Sequence, residues 1–214
     1  MDQEILNSYS KLNDLNVSRE TFFDFENYIS MILEKNKKIN LISQNTATKK
    51  AIIDRHIIDS AQIIDFVDFN YNTTTDIGSG AGMPGIIVAI LLKNMKNDMN
   101  VHLYEKSYHK SHFLREVSKK LNLNTKIFQK NIFEIKNLET GTIMSRAFKP
   151  MPVVLDLVNE NFSKFKNLIF FMGKSGKIII ENIKKDWEME YVEKKSLTNK
   201  DSYLINIKKI KKKN

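Results

Sequence analysis

The spacing of apolar positions divides the chain into a helical first part and an alternating second part. After Ser18, large apolar side chains recur every three or four residues, at Phe22, Phe25, Ile29, Ile32 and Leu33. This is the spacing of one helix face, and a serine just before it is a typical N-cap residue. A second helical stretch, "KKAIIDRHIIDSAQIIDFV", follows Thr46 or Thr48, either of which can cap it. The pattern predicts an N-terminal helical cap over residues 1–66.

From Thr73 onward, short apolar runs alternate with helical ones. The strand-like runs are "TTTDI", "NVHLYE", "TKIFQ", "GTIMSRAF" and "NLIFFMG", and helical stretches such as "PGIIVAILLKNM" and "GKIIIENIKKDWEM" lie between or after them. Two β-rich pieces, "EYVEKKSL" and "SYLINIKKI", end the chain. Repeated β-α units predict an α/β fold, with a parallel sheet covered on both faces and an antiparallel hairpin at one edge. We therefore predict an α/β domain over residues 67–214.

Charge and cysteine content narrow the classes of function. The 34 basic residues exceed the 25 acidic ones, and a net charge of +9 makes a polyanion such as nucleic acid a plausible partner. The chain has no cysteine, which excludes disulfides and thiolate metal sites and fits a reducing compartment. The N-terminus lacks the layout of a signal peptide, and no apolar run is long enough for a membrane span. We expect a cytoplasmic protein without a metal.

The segment "DIGSGAGMPG" concentrates four of the seven glycines, Gly78, Gly80, Gly82 and Gly85, between a strand and a helix. Glycines at such a turn let a ligand approach the backbone closely. Glu105 ends the next strand, where an acid can accept hydrogen bonds from both hydroxyls of an adenosine ribose. A dinucleotide such as NAD and S-adenosylmethionine (SAM) both fit these features.

Three observations favour SAM over a dinucleotide. Asp76 directly precedes the glycines, where a carboxylate attracts the cationic ammonium and sulfonium of SAM and repels a pyrophosphate. The glycine strand follows a long helical segment, whereas dinucleotide folds more often begin with that strand. No lysine follows the turn at the spacing of a P-loop. An NAD-dependent oxidoreductase remains the alternative from another class.

Several linked segments resemble one family, the bacterial small-subunit rRNA guanine-N7 methyltransferases, once called glucose-inhibited division protein B. The segments are "NKKINLIS", "RHIIDS", "DIGSGAGMPGIIVAI", "YEKSYHKSHFLREV" and "SRAF", and they occur in the family's order. Ile87 stands where the family has a second proline, and Glu105 stands where it has an aspartate. The lysine of the family's late K-G pair is displaced in "MGKSG", which leaves the role of Lys174 open.

The resemblance implies a fold and an activity. The fold is that of class I SAM-dependent methyltransferases, which is Rossmann-like with a mostly parallel seven-stranded sheet. The activity is methyl transfer from SAM to N7 of a guanine in 16S rRNA, in the loop near the decoding site. The substrate is the rRNA, the small subunit or an assembly intermediate, and the enzyme is expected to be monomeric. Guanine N7 carries a free lone pair at neutral pH, so the reaction needs positioning rather than a general base.

The resemblance also assigns cofactor-binding residues. These are Asp76, Gly78, Gly80, Gly82, Met83, Glu105, Ile132, Phe133 and Arg146. Ile132 and Phe133 match the place where the family holds the adenine, although core packing explains the two residues equally well. Arg146 is one of only four arginines and follows a strand at the carboxyl edge of the sheet, so it is the expected catalytic residue.

The expected substrate or RNA contacts are Asn40, Arg55, His56 and Lys174. Arg55 and Asp59 are four residues apart on a predicted helix and can form an ion pair. We expect their helix, with His56, to dock on the catalytic domain beside the cofactor, and Asn40 to fix a loop over the site. The tail "KKIKKKN" either neutralises RNA phosphates or is a frayed end. A SAM enzyme acting on another RNA or a small molecule, and an RNA-binding module without activity, remain alternatives.

Overall fold

A computed structural model of the chain describes residues 17–213, together with Tyr9, Ser10 and Leu12. The remaining N-terminal residues of the predicted helical cap, and Asn214, lie outside the described part. None of the helices in the described part combines the length and the apolar character needed to cross a bilayer.

In the described residues, helix α1 spans Arg19–Asn36 and confirms the predicted amphipathic pattern. The Ser18 hydroxyl accepts a hydrogen bond from the backbone N–H of Thr21, so the predicted N-cap is present. The large apolar side chains on the predicted face are buried, except for Leu33, which is partly buried against the same core. Burial of this face holds the helix on the rest of the protein.

The second helical stretch is not the single regular helix that the sequence predicts. It consists of α2 (Lys49–Ile52), a π-helical turn (Ile53–Ile57), α3 (Ile58–Ala61) and a 3-10 turn (Gln62–Phe66). Thr48, the second of the two expected caps, accepts a hydrogen bond from the N–H of Ala51. A π-turn changes the register of the backbone hydrogen bonds, and such turns are frequent at functional sites.

The strands form one large sheet and one small one. In chain order they are β1 (Thr73–Ile77), β2 (Asn100–Tyr104), β3 (Thr125–Phe128), β4 (Leu138–Glu139), β5 (Thr142–Ser145), β6 (Phe162–Lys164), β7 (Asn167–Met172), β8 (Trp187–Lys195) and β9 (Tyr203–Lys212). The large sheet has seven strands in the order β3-β2-β1-β5-β7-β9-β8. Neighbours from β3 to β7 are parallel, whereas β9 is antiparallel to both β7 and β8. This confirms the predicted parallel sheet with an antiparallel hairpin at its edge.

Four helices cover the sheet, namely α4 (Gly85–Asn94), α5 (Tyr108–Lys120), α6 (Met151–Asn161) and α7 (Gly176–Asp186). One buried cluster joins α4 and α5 to the N-terminal helices, and a second joins α6 and α7 to the C-terminal hairpin. The N-terminal helices therefore complete one face of the sheet.

Two local predictions differ from the structure at the C-terminal end. Helix α7 ends at Asp186, because from Trp187 onward the buried positions alternate as they do in a strand. The lysine-rich tail is not a frayed end, since it continues β9 to Lys212. Lys209 pairs with Glu190 at 3.0 Å and Lys212 with Asp156 at 2.7 Å. The small parallel pair of β4 and β6 was not predicted.

The topology places the functional loops at one edge of the sheet. Strand β1 pairs with β2 on one side and with β5 on the other, and all three run in the same direction. The loops that follow these strands therefore meet at their carboxyl ends. Open α/β sheets bind ligands at such a place, where the strand order reverses.

Candidate functional site

A cavity of about 550 Å³ lies where these loops meet. Its volume is within the usual range for small-molecule sites. The predicted site residues that line it are His56, Gly78, Gly80, Met83, Glu105, Ile132 and Arg146. The other predicted site residues, namely Asn40, Arg55, Asp76, Gly82, Phe133 and Lys174, are not part of this lining.

In the glycine turn after β1, the fold requires a glycine at Gly78, whereas at Gly80 there is open space beside the backbone. Gly78 has φ +72°, and a Cβ atom there would lie 2.0 Å from Cδ2 of Phe148. Gly80 has φ +57°, but the nearest atom to its Cβ position is the Gly78 carbonyl oxygen at 3.9 Å. Because Gly80 also lines the cavity, a ligand can lie directly against its backbone.

Asp76 lies beneath the glycine turn rather than in the cavity. Its side chain is 1% exposed, and Oδ2 accepts a hydrogen bond from the N–H of Gly85 at 3.0 Å, at the start of α4. Burial raises the pKa of this carboxyl from 3.8 to about 7, against the opposing effects of the Gly85 N–H and of Arg146. Asp76 therefore holds the turn onto α4 and titrates near neutral pH.

Glu105 joins the loops that follow β1 and β2. Its Oε2 accepts a hydrogen bond from the N–H of Gly80 at 2.9 Å, and its Oε1 accepts one from the N–H of Ser107 at 2.8 Å. Each carboxylate oxygen can accept a second hydrogen bond. The predicted contact with ribose hydroxyls is therefore compatible with the role of Glu105 in fixing the glycine turn.

Arg146 follows β5 and joins it to the π-helical turn. Its guanidinium donates to the carbonyl oxygen of Arg55 at 2.6 Å and lies 3.0 Å from Nδ1 of His56 and 3.3 Å from Oδ2 of Asp59. The side chain is only 18% exposed. The predicted Arg55–Asp59 ion pair is thus replaced by an Arg146–Asp59 pair, because the π-turn alters the helical spacing on which the prediction relied.

The contact with Arg146 fixes the protonation of His56. A guanidinium can only donate, so Nδ1 of His56 must accept and the ring proton must be on Nε2. Burial, together with the positive charges of Arg146 and Arg55, lowers the pKa of His56 from 6.5 to about 4. Within the described residues, Nε2 is buried and has no hydrogen-bond partner. His56 is therefore a neutral ring in the cavity wall with one unused N–H donor.

Two N-terminal side chains hold the roof of the cavity, and the sequence did not reveal either of them. The buried hydroxyl of Tyr28 donates to the carbonyl oxygen of Ala81 in the glycine turn at 2.7 Å. Asn36 Oδ1 accepts from the N–H groups of Leu41 and Ile42 at 2.9 and 3.0 Å. The loop over the site is thus fixed by Asn36, whereas Asn40, which we expected in that role, is exposed. Both asparagines lie in "NKKIN", so the motif was informative although its residue was misassigned.

The 3-10 turn after β3 contributes Ile132 but not Phe133 to the cavity. Ile132 is 3% exposed and lines it, while the ring of Phe133 packs against Phe148 with centroids 6.0 Å apart. The turn is held by Asn161, whose amide donates to the carbonyl oxygens of Ile132, Phe133 and Ile135. Asn161 ends α6 far away in sequence, and no local pattern signals this contact.

Four lysines, Lys106, Lys110, Lys130 and Lys149, also line the cavity. In the part of the chain that the structure describes, none of them forms an ion pair, unlike the lysines of α1, α4 and β9. The described residues contain no group of three His, Asp or Glu side chains that could hold a metal ion. The predicted Lys174 is exposed in the loop between β7 and α7, and Arg55 faces a neighbouring cavity.

Comparison with known proteins gives relatives along most of the chain. A family model described as GidB, rRNA small subunit methyltransferase G, matches residues 22–206. The chain is 58% identical over 212 residues to the ribosomal RNA small subunit methyltransferase G of Pelagibacter ubique, covering 99% of this chain and all of that protein. It is 31% identical to the protein of that name from Bartonella tribocorum, covering 99% of each chain.

Solved structures share the fold. A SAM-dependent methyltransferase from Aquifex aeolicus gives a TM-score of 0.52 at 14% identity, covering 71% of this chain and 89% of that one. A tRNA (m1A58) methyltransferase from Aquifex aeolicus gives a TM-score of 0.53 at 17% identity, covering 84% and 76% of the two chains. With the seven-stranded sheet, these likenesses confirm the predicted class I methyltransferase fold.

Proposed function

The chain belongs to the rRNA small subunit methyltransferase G family, and we propose that it methylates N7 of one guanine in 16S rRNA. It is a SAM-dependent methyltransferase, and its proposed substrate is the rRNA, alone or within the small subunit or an assembly intermediate. The observation that carries the proposal is the cavity at the ends of β1, β2 and β5. The backbone of Gly80, the carboxylate of Glu105, which is placed to bind ribose hydroxyls, and the side chain of Arg146 line this one cavity.

The residues of this cavity fit SAM. Gly80 leaves open space beside its backbone, which a Cβ atom would fill. Glu105 lines the cavity with accepting capacity for ribose hydroxyls, and Ile132 offers an apolar surface for an adenine ring. The unused Nε2–H of His56 suits an oxygen acceptor, such as the carboxylate of the methionine part. SAM supplies a methyl group on a positively charged sulfur.

Transfer of the methyl group to guanine N7 requires no general acid or base from the protein. A bond forms between the N7 lone pair and the methyl carbon as the carbon–sulfur bond breaks, and the bonding pair returns to sulfur. No proton is lost, so a site without a titrating base is sufficient. Arg146, His56 and the glycine turn would then act by orienting the reactants, an effect that can contribute roughly 7–11 kcal/mol.

The four lysines at the cavity suit an RNA substrate better than they suit the cofactor. SAM carries a net positive charge, so unpaired lysines around its cavity are not explained by its binding. Phosphates of an RNA strand that crosses the cavity mouth would neutralise Lys106, Lys110, Lys130 and Lys149. We also propose that the enzyme acts in the cytoplasm and as a monomer. A SAM enzyme for a small molecule, or an NAD-dependent oxidoreductase, is not favoured, because neither accounts for the family membership.

Methylation mapping tests this function. Small-subunit rRNA from a strain that lacks this gene is incubated with the purified protein and SAM, as free rRNA and as assembled subunits. Borohydride and aniline then cleave the RNA at 7-methylguanosine, and we expect one new cleavage site in at least one of the two substrates. A methyl group on another atom, or none in either substrate, would refute the proposal.

A further inference from the structure

A second cavity lies beside the first, on the other side of Arg146. Its volume is about 720 Å³, and Arg146 and Ala147 are the residues that line both cavities. It opens at the carboxyl ends of β5 and β7, with Phe171 and Met172 in its wall. The two cavities are therefore adjacent at Arg146 and Ala147.

The walls of this second cavity are fixed by hydrogen bonds within the protein. Asp59 Oδ1 accepts from the Thr198 hydroxyl at 3.1 Å and from the Gln62 amide at 2.9 Å. The side-chain oxygen Oε1 of Gln62 accepts in turn from the N–H of Leu197 at 3.0 Å. These bonds tie the β8–β9 loop to the N-terminal helices. The cavity is thus preformed, as ligand sites usually are.

Two polar groups and one glycine in the lining of the second cavity are available for a ligand. The Tyr203 hydroxyl is buried and has no hydrogen-bond partner among the described residues. The described part of the chain also offers the Asp54 carboxylate neither an ion pair nor a hydrogen bond, although Asp59 nearby is fully engaged. At Gly173 a Cβ atom would meet no other atom within 4 Å. A buried polar group without a partner is costly, so the hydroxyl is suited to a ligand.

We propose that the second cavity receives the guanosine that is methylated. This inference rests on the proposed function. Asp54 accepts hydrogen bonds from the N1–H and the amino group of the base, which are donors on its Watson–Crick edge. The opposite edge, which carries N7 and O6, then faces Arg146 and the cofactor cavity. Phe171 supplies an aromatic surface of the kind on which unstacked RNA bases pack.

The deciding variant fills the second cavity and leaves the first unchanged. Gly173→Leu places a branched side chain in open space, and the φ of Gly173 lies outside the left-handed region, so the backbone is not strained. We expect the kcat/KM for small-subunit rRNA to fall by about 100-fold, because a displaced base loses its alignment with the methyl donor. The Kd for SAM, measured by calorimetry on the full chain, should be unchanged.

Ser175→Leu is the matched control. Ser175 is exposed in the same loop and is not part of the lining of either cavity, so rRNA methylation should stay within about twofold of the wild-type enzyme. If Gly173→Leu methylates rRNA as well as Ser175→Leu does, the second cavity does not hold the target nucleoside. The same conclusion follows if Gly173→Leu loses SAM binding in parallel.

Tyr203→Phe tests the cavity without adding volume. The hydroxyl has no described protein partner, so its removal should leave the melting temperature unchanged or higher. The kcat/KM for rRNA should fall by about fivefold, the usual effect of one lost hydrogen bond. Unchanged kinetics would remove Tyr203 from the site, and a lowered melting temperature would mean that its role is structural.

The wild-type enzyme and the two cavity variants together separate the role of the second cavity from the activity itself. If the wild-type protein methylates guanine N7 in rRNA and the Gly173 and Tyr203 variants do so equally well, only the second cavity is misassigned. If the wild-type protein does not methylate rRNA at all, the proposed function itself is wrong.

Discussion

Two glycine-containing loops follow parallel strands and lead into helices, yet glycine serves a different purpose in each. In the loop after β1, Gly78, Gly80 and Gly82 all have positive φ, and side chains at Gly78 and Gly82 would collide with neighbours at 2.0 and 2.5 Å. In the loop after β7, the φ of Gly173 lies outside the left-handed region, and its Cβ position is in open space. The first loop can be predicted from the sequence because its backbone requires glycine. The second cannot, because its open space is formed by residues that are distant in sequence.

The largest expected effect comes from filling the first cavity as Gly173→Leu fills the second. Gly80→Leu should weaken SAM binding by at least about 100-fold, or about 2.7 kcal/mol, because its side chain extends into the cavity. The positive φ of +57° adds a stability cost of about 1–2 kcal/mol. Calorimetry with SAM measures the first effect and thermal melting the second. Wild-type SAM affinity in folded Gly80→Leu would contradict the placement of the cofactor.

Arg146 lines both cavities, so its replacement should impair the binding of ligands in both of them. Arg146→Lys retains the charge but cannot match the three acceptors that the guanidinium reaches, and methyl transfer should fall by about 30-fold. Both the Kd for SAM and the KM for rRNA should rise, as single-turnover kinetics can measure.

Asp59→Asn separates the structural part of this effect. It weakens the ion pair with Arg146 but leaves the guanidinium in place, so we expect a stability loss of about 2 kcal/mol with methyl transfer within a fewfold of wild type. If Asp59→Asn and Arg146→Lys lose transfer equally, Arg146 acts by docking the N-terminal segment and not at the reacting groups.

The smallest expected effect is a pH dependence confined to the first cavity. Below pH 7 Asp76 is protonated, so its attraction for cationic SAM is lost, and SAM binding should strengthen about fivefold as the pH rises through about 7. The charged groups near Asp76 are Arg146 and Glu105, while His56, with a pKa of about 4, stays neutral throughout. In Asp76→Asn the Kd for SAM should not vary over this range, and a persisting variation would assign the titration elsewhere.

The raised pKa of Asp76 also predicts how the stability of the protein without SAM depends on pH. Above pH 3.8 the unfolded chain releases the proton of Asp76, whereas the folded chain keeps it up to about pH 7. The contribution of Asp76 to the free energy of unfolding should therefore fall between these two values and level off above them. Urea denaturation measures this contribution as the difference between the wild-type protein and Asp76→Asn, and we expect that difference to change in this direction over this range.

The fold was predictable because its elements repeat simple periods. Strands such as β1 and β7 are buried runs, and α1 shows its buried face at every third or fourth position. The β4–β6 pair was missed because strands of two and three residues are too short to show a period. The π-turn was missed because its residues carry the same apolar spacing as a regular helix.

The site was predictable where one local motif supplied it, as in the glycine turn with Glu105. It was not predictable where distant segments meet. Asn161 holds Ile132 from the end of α6, and the second cavity combines residues of the N-terminal helices, β7 and β9. The hydrophobic pattern of a single segment does not predict such contacts, because each contact depends on how the sheet packs between the two segments.

The ion pairs that anchor α1 bear on the order in which the molecule can be made. Asp24 of α1 pairs with Lys93 of α4, and Lys35 of α1 pairs with Glu116 of α5, each at 2.8 Å. Helix α1 therefore contacts both α4 and α5 on its face of the sheet. Synthesis proceeds from the N-terminus, and α1 leaves the ribosome long before α5 ends at Lys120. Its apolar face must therefore wait for about a hundred further residues of chain, roughly 5–20 s at the usual rates. Although α1 is synthesised early, it is one of the later elements to reach its final contacts.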